Sequence, residues 1–235
     1  MTRRNLAFIL LIVILIAHVA LWVIKETKSP VPSEPICPDI DASMPIVALT
    51  FDDGPNAEFT PQVLKVLREF GVSATFFVCG KNIEGNENLL LAIVNDGHEL
   101  ANHAYSHVDL RTLEPWKIRR EFSRTQSYVE EVIPGYTLKY IRPPYGWYNE
   151  TVLAALREPM VLWDVDSGDW CEEDPAIIRD HVVSQVKSDD IIIMHDSNAT
   201  TVEALKSILS ELKSRGFQFI TILQLAEYRS VDMRW

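Results

Sequence analysis

The stretch TFDDGPNAEFTP, residues 50–61, sets two carboxylates side by side at the end of an apolar run, on a turn made by Gly54 and Pro55. Adjacent like charges repel, and a bound cation removes that penalty. Successive side chains of an extended chain point to opposite faces, so Asp52 and Asp53 are expected to do different work. The turn lets one of them face a metal ion while the other stands beside it as a general base. His103 and His107 are four residues apart, a spacing that on a helical turn aims both imidazoles the same way. Two histidines and one carboxylate are a recurrent set for catalytic zinc, with positions left for water and substrate. An H-x-x-x-H spacing alone is a weak signal. Together with the paired carboxylates it points to hydrolytic metal chemistry.

Side chains this far apart in sequence need elements that bring them together. From Pro45 onward, short apolar runs alternate with amphipathic helical stretches. Strands are expected over 46–51, 74–78, 98–101, 140–142, 160–166, 190–194 and 217–221. Helix signals fall between them: Thr60 with Pro61 at a helix start and Gly71 at its end, Pro115, Asp174 with Pro175, and a capping-box spacing at Thr200 and Glu203 before Gly216. Seven βα alternations predict a parallel sheet with helices outside it. About 190 residues is short for eight strands, so the expected fold is α/β, a distorted or incomplete (β/α) barrel of about seven parallel strands. A doubly wound sheet is the alternative. FDDG, NHAYSH, RPPYG, DSGDW and HD follow five of the expected strands. In barrels that rim is where chemistry is assembled.

The N-terminus is of another kind. Residues 6–24 form a 19-residue apolar run broken only by His18, long enough as a helix to match a hydrocarbon core of about 30 Å. Arg3 and Arg4 precede it, as expected for a cytoplasmic end. The expected organisation is a cytoplasmic stub and transmembrane signal anchor over 1–24, a Pro-rich tether over 25–44, and a catalytic domain over 45–235. A cleaved signal peptide is the alternative, although its apolar region is usually shorter. The net charge of −11 and the lack of a basic patch argue against nucleic acid as a partner. Cys37, Cys79 and Cys171 show no metal spacing; one disulfide is compatible with an extracytoplasmic domain, and Cys79, at the end of ATFFV, is expected to be a buried thiol.

TFDDGP, HAYSH, RPPYG, DVDSGDW and IIIMHD, in this order, resemble the five signature motifs of the polysaccharide deacetylases, carbohydrate esterase family 4, over residues 44–228. The resemblance implies roles position by position. Asp53, His103 and His107 match the family's ligands for one divalent metal, usually zinc. Asp52 matches the base that deprotonates the metal-activated water, and Arg142 the arginine that orients it. His195 matches the acid that protonates the leaving amine. Asp169 matches the acidic residue linked to that histidine and to the arginine, with Asp166 as its rival. Tyr145 stands where the family offers a backbone N–H to the oxyanion, and Trp170 and Met194 stand as walls for the acetyl methyl. One position departs from the pattern: Ala104 follows the first histidine where the family has Ser or Thr, a change expected to shift metal affinity rather than abolish it.

Amide hydrolysis needs an activated water, a stabilised oxyanion and a proton delivered to nitrogen, and this set supplies all three. The reading is a membrane-tethered, extracytoplasmic metallo-deacetylase acting on an acetylated cell-wall glycan, foremost the N-acetylglucosamine of peptidoglycan. Chitin-oligosaccharide deacetylation and removal of O-acetyl groups from xylan use the same parts. A glycan-binding pseudoenzyme is the reading from another class, and the complete set of base, ligands and acid speaks against it. Trp116 and Trp147 are candidates for stacking on sugar rings or for helix packing. Asp196, Ser197 and Asn198 are expected to cap or position the following loop.

Overall fold

A computed structural model of the chain describes residues 40–41 and 43–229. The apolar run over 6–24, residues 25–39 of the tether and Cys37 lie outside the described residues. Among the described residues no helix is long and apolar enough to cross a membrane.

The first strand, β1 (Ile46–Asp52), is buried along its whole length, as a strand covered on both faces must be. Its side chains alternate. Val47, Leu49 and Phe51 join the main core under the helices, and Ile46 and Ala48 join a second cluster on the inner face. The same alternation puts Thr50 and Asp52 inside. The remaining elements are α1 (Thr60–Phe70), β2 (Thr75–Val78), α2 (Glu87–Asn95), β3 (Glu99–Asn102), α3 (Pro115–Val132), α4 (Glu150–Ala155), β4 (Val165–Asp166), α5 (Pro175–Gln185), β5 (Ile191–His195), α6 (Ala199–Ser214), β6 (Gln218–Ile220) and α7 (Ile222–Tyr228).

The sheet has six strands in the order β3-β2-β1-β5-β4, with β6 also on β1, and every pairing is parallel. Ala48 pairs with β5 and β6, and Thr50 with β5 and β2. Strands β6 and β2 therefore share one side of β1, β6 beside its first half and β2 beside its second. Beyond β3, single parallel bridges join Asn102 to Ile141 and Ile141 to Met160. From Met160 the chain runs into β4, which returns to β5. The result is a barrel-like ring around the inner cluster, with Ile222 and Leu225 of α7 contributing to its floor.

Two expected strands are shorter than the sequence suggests. Residues 140–142 make only the bridges at Ile141, because Pro143 and Pro144 follow and donate no N–H to a ladder. Of 160–166 only Val165–Asp166 is strand; the carbonyls of Val161 and Leu162 accept instead from the Arg142 guanidinium, at 3.1 and 3.0 Å. Helix ends differ too. Thr60 does not cap α1, since its hydroxyl accepts from the Asn56 N–H and donates to Asp196. Asn198 rather than Thr200 caps α6, and the capping box forms at Thr221 and Gln224 of α7. Gly71 does close α1 in the left-handed conformation, and Asp174 caps α5 ahead of Pro175. Asp164 is exposed and accepts from the Ile191 N–H.

Candidate active site

The C-terminal ends of β1, β3 and β5 and the loops after them surround one cavity of about 580 Å³. The parallel register sets Asp52 level with Phe77 on one side and His195 on the other. After Asp52 the chain turns sharply, because Asp53 is left-handed at φ 74°. This frees the second carboxylate from the strand's alternation. Asn82 Nδ2 donates to the Asp53 carbonyl at 2.7 Å and holds the turn. The next residue has to be glycine, since a Cβ at Gly54 would lie 2.4 Å from the Asp196 carboxylate. Asp196 itself is fully buried, and burial pushes its carboxyl up to about 7.

Asp53 Oδ1 lies 3.1 Å from His107 Nε2 and 3.4 Å from His103 Nε2. Ligand atoms about 2.1 Å from a tetrahedral ion sit about 3.4 Å from one another. The three side chains offer one donor atom each within 4.8 Å of one another, so the donor set fits a divalent ion. Burial opposes charge on Asp53, yet the two imidazoles hold its carboxyl well below the usual range. His103 is buried, and its Nδ1 meets the Arg142 carbonyl at 2.8 Å. A carbonyl only accepts, so Nδ1 carries a proton and Nε2 is the nitrogen that would face a metal. The two histidines do not share a helical turn. Residues 103–107 form a loop in which Ala104 and His107 are left-handed, at φ 61° and 56°, and the loop still brings the rings to a 5.1 Å centroid separation.

Asp52 stands beside this triad. Its Oδ2 is 3.6 Å from His103 Nε2, and its Oδ1 accepts from Arg142 Nη1 at 2.6 Å. Arg142 is fully buried, stacks on Phe77 at 3.9 Å, and also donates to Thr50 Oγ1 at 2.9 Å. Thr50 donates onward to the Ile192 carbonyl at 2.8 Å. The guanidinium is thus fixed by two carbonyls, a hydroxyl and an aromatic face, and it presents one N–H to Asp52.

Across the cavity, His195 Nδ1 meets Asp169 Oδ1 at 2.7 Å. Asp169 Oδ2 accepts from the His195 N–H at 2.8 Å and from Thr201 Oγ1 at 2.7 Å. Burial works against charge on His195, but the Asp169 hydrogen bond and charge, with Asp52 and Asp53 beyond, raise it to about 9. Of the two candidate acids, Asp169 makes the pair. Asp166 Oδ1 accepts from the Gly168 N–H at 2.9 Å and lines the cavity. The expected link from Asp169 to the arginine is not made: Arg142 spends its donors on Thr50, Asp52 and two carbonyls, so base and acid are held by separate partners.

The family model described as polysaccharide deacetylase matches residues 39–159. This chain belongs to the polysaccharide deacetylase family. The relatives it matches are described as deacetylases, and the family is metal-dependent. The chain is 34% identical over 205 residues to the peptidoglycan-N-acetylmuramic acid deacetylase PdaC of Bacillus subtilis, covering 87% of itself and 44% of that protein. It thus spans less than half of that relative's length. A peptidoglycan-N-acetylglucosamine deacetylase of Bacillus cereus is 35% identical over 192 residues, 78% of this chain and 89% of that one. The solved structure of PdaC superposes with a TM-score of 0.78 at 34% identity, covering 81% of this chain and 94% of the other.

In this family member Tyr145 is left-handed at φ 62°, lines the cavity, and sets its ring edge-on against His107 at 4.6 Å. Trp147 follows at 4.8 Å from the Tyr145 ring and lines the cavity too, whereas Trp116 is exposed under Lys117. Trp170 lines the cavity and is 66% exposed. Met194 is not a wall: it is fully buried in the main core under the helices. Its neighbours in β5, Ile193 and His195, face the cavity, so the strand's alternation turns Met194 away. Trp163, Ser197 and Asn198 complete the lining. Asn198 both caps α6 and donates to the Asp169 carbonyl at 3.2 Å. Thr50, two residues before Asp52, was findable from the period of two. Cys79 is buried and Cys171 exposed, each a free thiol.

Among the described residues, four of the five left-handed non-glycine residues, Asp53, Ala104, His107 and Tyr145, border this site. Each such conformation costs on the order of 1 kcal/mol, and its concentration here marks a geometry imposed by the surrounding contacts.

The His195–Asp169 pair gives a pH prediction. A pKa raised to about 9 keeps His195 protonated through neutral pH, and the acid is lost as pH rises through that value. In Asp169→Asn the nearest raising charge is gone, burial remains, and only the more distant Asp52 and Asp53 still favour the imidazolium. The alkaline limb of kcat/KM then moves down from about 9 toward the ordinary imidazole range of about 6.5, read from a pH–rate profile. An unmoved limb would assign the acid to another group.

Proposed function

We propose that this deacetylase removes N-acetyl groups from peptidoglycan N-acetylglucosamine, with zinc at Asp53, His103 and His107, and that residues 6–24 tether it to the outer face of the cell membrane. The observation that carries the reading is the placement of base and acid around one ligand triad: Asp52 at 3.6 Å from His103 on the β1 side, and the His195–Asp169 pair on the β5 side.

When bound, the ion supplies the Lewis acidity that sharpens water as a nucleophile and polarises the acetyl carbonyl. The chain's own residues do the rest. Asp52, anchored by Arg142, takes the proton of the attacking water at its Oδ2. His195 Nε2 delivers a proton to the departing nitrogen, and Asp169 stabilises the imidazolium until then. An amine leaves poorly without that proton, whereas an ester's alcohol leaves more readily, so an imidazole held protonated favours the amide over O-acetyl substrates. Tyr145, Trp147, Trp163 and Trp170 give the cavity the aromatic faces on which sugar rings stack.

The choice of sugar rests on charge. Besides Asp52 and Asp53, the cavity wall carries the Asp166 carboxylate; the His195 imidazolium is already paired with Asp169, and among the described residues no lysine or arginine lines the cavity. Arg111 lies over the Trp147 ring at 4.2 Å, but Asp109 already holds it through two hydrogen bonds. N-acetylglucosamine is neutral, and N-acetylmuramic acid brings a lactyl group that is a carboxylate when it bears no peptide. The expected result is acetate release from N-acetylglucosamine units of defined wall glycans at a rate at least tenfold above that from peptide-free N-acetylmuramic acid units. Release from muramic units alone, or from acetylated xylan with wall glycans inert, would overturn the substrate assignment.

A further inference from the structure

The backs of the two ligand histidines are treated differently. His103 is locked by the Arg142 carbonyl behind its ring. His107 has no hydrogen-bonded partner behind its ring among the described residues; it rests on Tyr145 and reaches Asp53. Its place is therefore set by its own backbone. That backbone belongs to a loop bent at two left-handed residues, neither of them glycine, and Ala104 brings only a methyl to it.

The loop's polar groups are held from the helix packed over it. Glu121 of α3 accepts at a single oxygen, Oε2, from the Tyr105 N–H at 3.1 Å, the Ser106 N–H at 2.7 Å and the Ser106 hydroxyl at 2.8 Å. Other contacts hold the loop as well: Asn102 Oδ1 accepts from the Ala104 N–H, Gly80 N–H donates to the Ala104 carbonyl, and Lys81 donates through its N–H to the Tyr105 carbonyl and through Nζ to the Ser106 carbonyl. The Tyr105 ring rests against Arg124 and Tyr128 of α3, but none of these contacts gathers two consecutive N–H groups as Glu121 does. Asn102 is tied in turn to the same helix through the Phe122 carbonyl. Consecutive backbone N–H groups converging on one carboxylate make a rigid anion-centred turn, and bonds to an ionised acceptor are the strong ones.

We propose that Glu121 is a positioning residue for metal binding: by gathering Tyr105 and Ser106 it fixes the backbone that places His107, and so sets the affinity of the site for its ion. The inference rests on the reading of Asp53, His103 and His107 as the metal ligands. Loss of outer support for a ligand typically costs 10–100-fold in metal affinity. Glu121→Ala, which leaves two N–H groups and a hydroxyl without their acceptor, takes that loss. Glu121→Gln keeps one carbonyl oxygen where all three bonds converge and recovers affinity to within about fivefold of wild type. Glu121→Asp keeps the charge but falls short by one methylene and stays weak.

The test is competition for zinc between the full chain and a calibrated chelator, for wild type and the three variants, with thermal melts of the metal-free proteins as a control. The expected order of affinity is wild type, Gln, then Asp and Ala, with the Asp variant's metal-free melt close to wild type. Should Glu121→Ala fail to fold, the Asp variant decides. Variants that bind zinc as tightly as wild type overturn the proposal while leaving the metal site intact. A wild-type chain that takes up no zinc overturns the ligand assignment instead.

Discussion

Asp52→Asn is expected to lower kcat by at least 10²–10⁴-fold, the range carried by a positioned general base, while the chain still takes up its metal. The reason is the division of labour at the β1 end. Asp52 remains in the strand's alternation, facing inward to Arg142 at 2.6 Å. Asp53, turned out by its left-handed backbone, meets both imidazoles. Asparagine keeps the shape and one acceptor for the guanidinium, but it has no basic oxygen for the water's proton. Its cost falls on stability as well, since Arg142 is then a buried charge with a neutral partner. That penalty is on the order of 3 kcal/mol and is read in a thermal melt. Turnover measured beside metal content separates the two effects: a variant with both near wild type shows that Asp52 is not the base.

His103→Ala is expected to lose metal and activity together. Its imidazole is the most constrained of the three ligands, buried, with Nδ1 committed to the Arg142 carbonyl and Nε2 aimed at the Asp53 oxygen. Removing it takes away one of three protein ligands and opens a hole beside Asp52. Activity is expected to fall below detection, at least 10³-fold, because both water activation and carbonyl polarisation go with the ion. Circular dichroism checks that the fold persists. Full activity in this variant would place the reaction elsewhere.

Much of the site was legible because its residues end strands. Asp52, Arg142 and His195 follow apolar runs whose alternation is plain, and the rim of a parallel ring is where such ends meet. Where contacts override local pattern, legibility failed. Residues 160–164 look like strand, yet two of their carbonyls serve Arg142. His103 and His107 have helical spacing, yet their loop is shaped by bonds from α3, and nothing in the run RREFSR marks Glu121 as the acceptor. Met194 is a different kind of miss. Alternation along IIIMH turns it away from the side that holds His195, and the family resemblance carries no information on which face of the strand a residue takes.

The proposed chemistry requires one ion shared by residues from two separate loops. Zinc titrated into the metal-free full chain, and into its His103→Ala form, tests this most directly. The predicted result is one ion bound per wild-type chain and a loss of that binding in the variant. Equal uptake by both chains, or none by wild type, would contradict it.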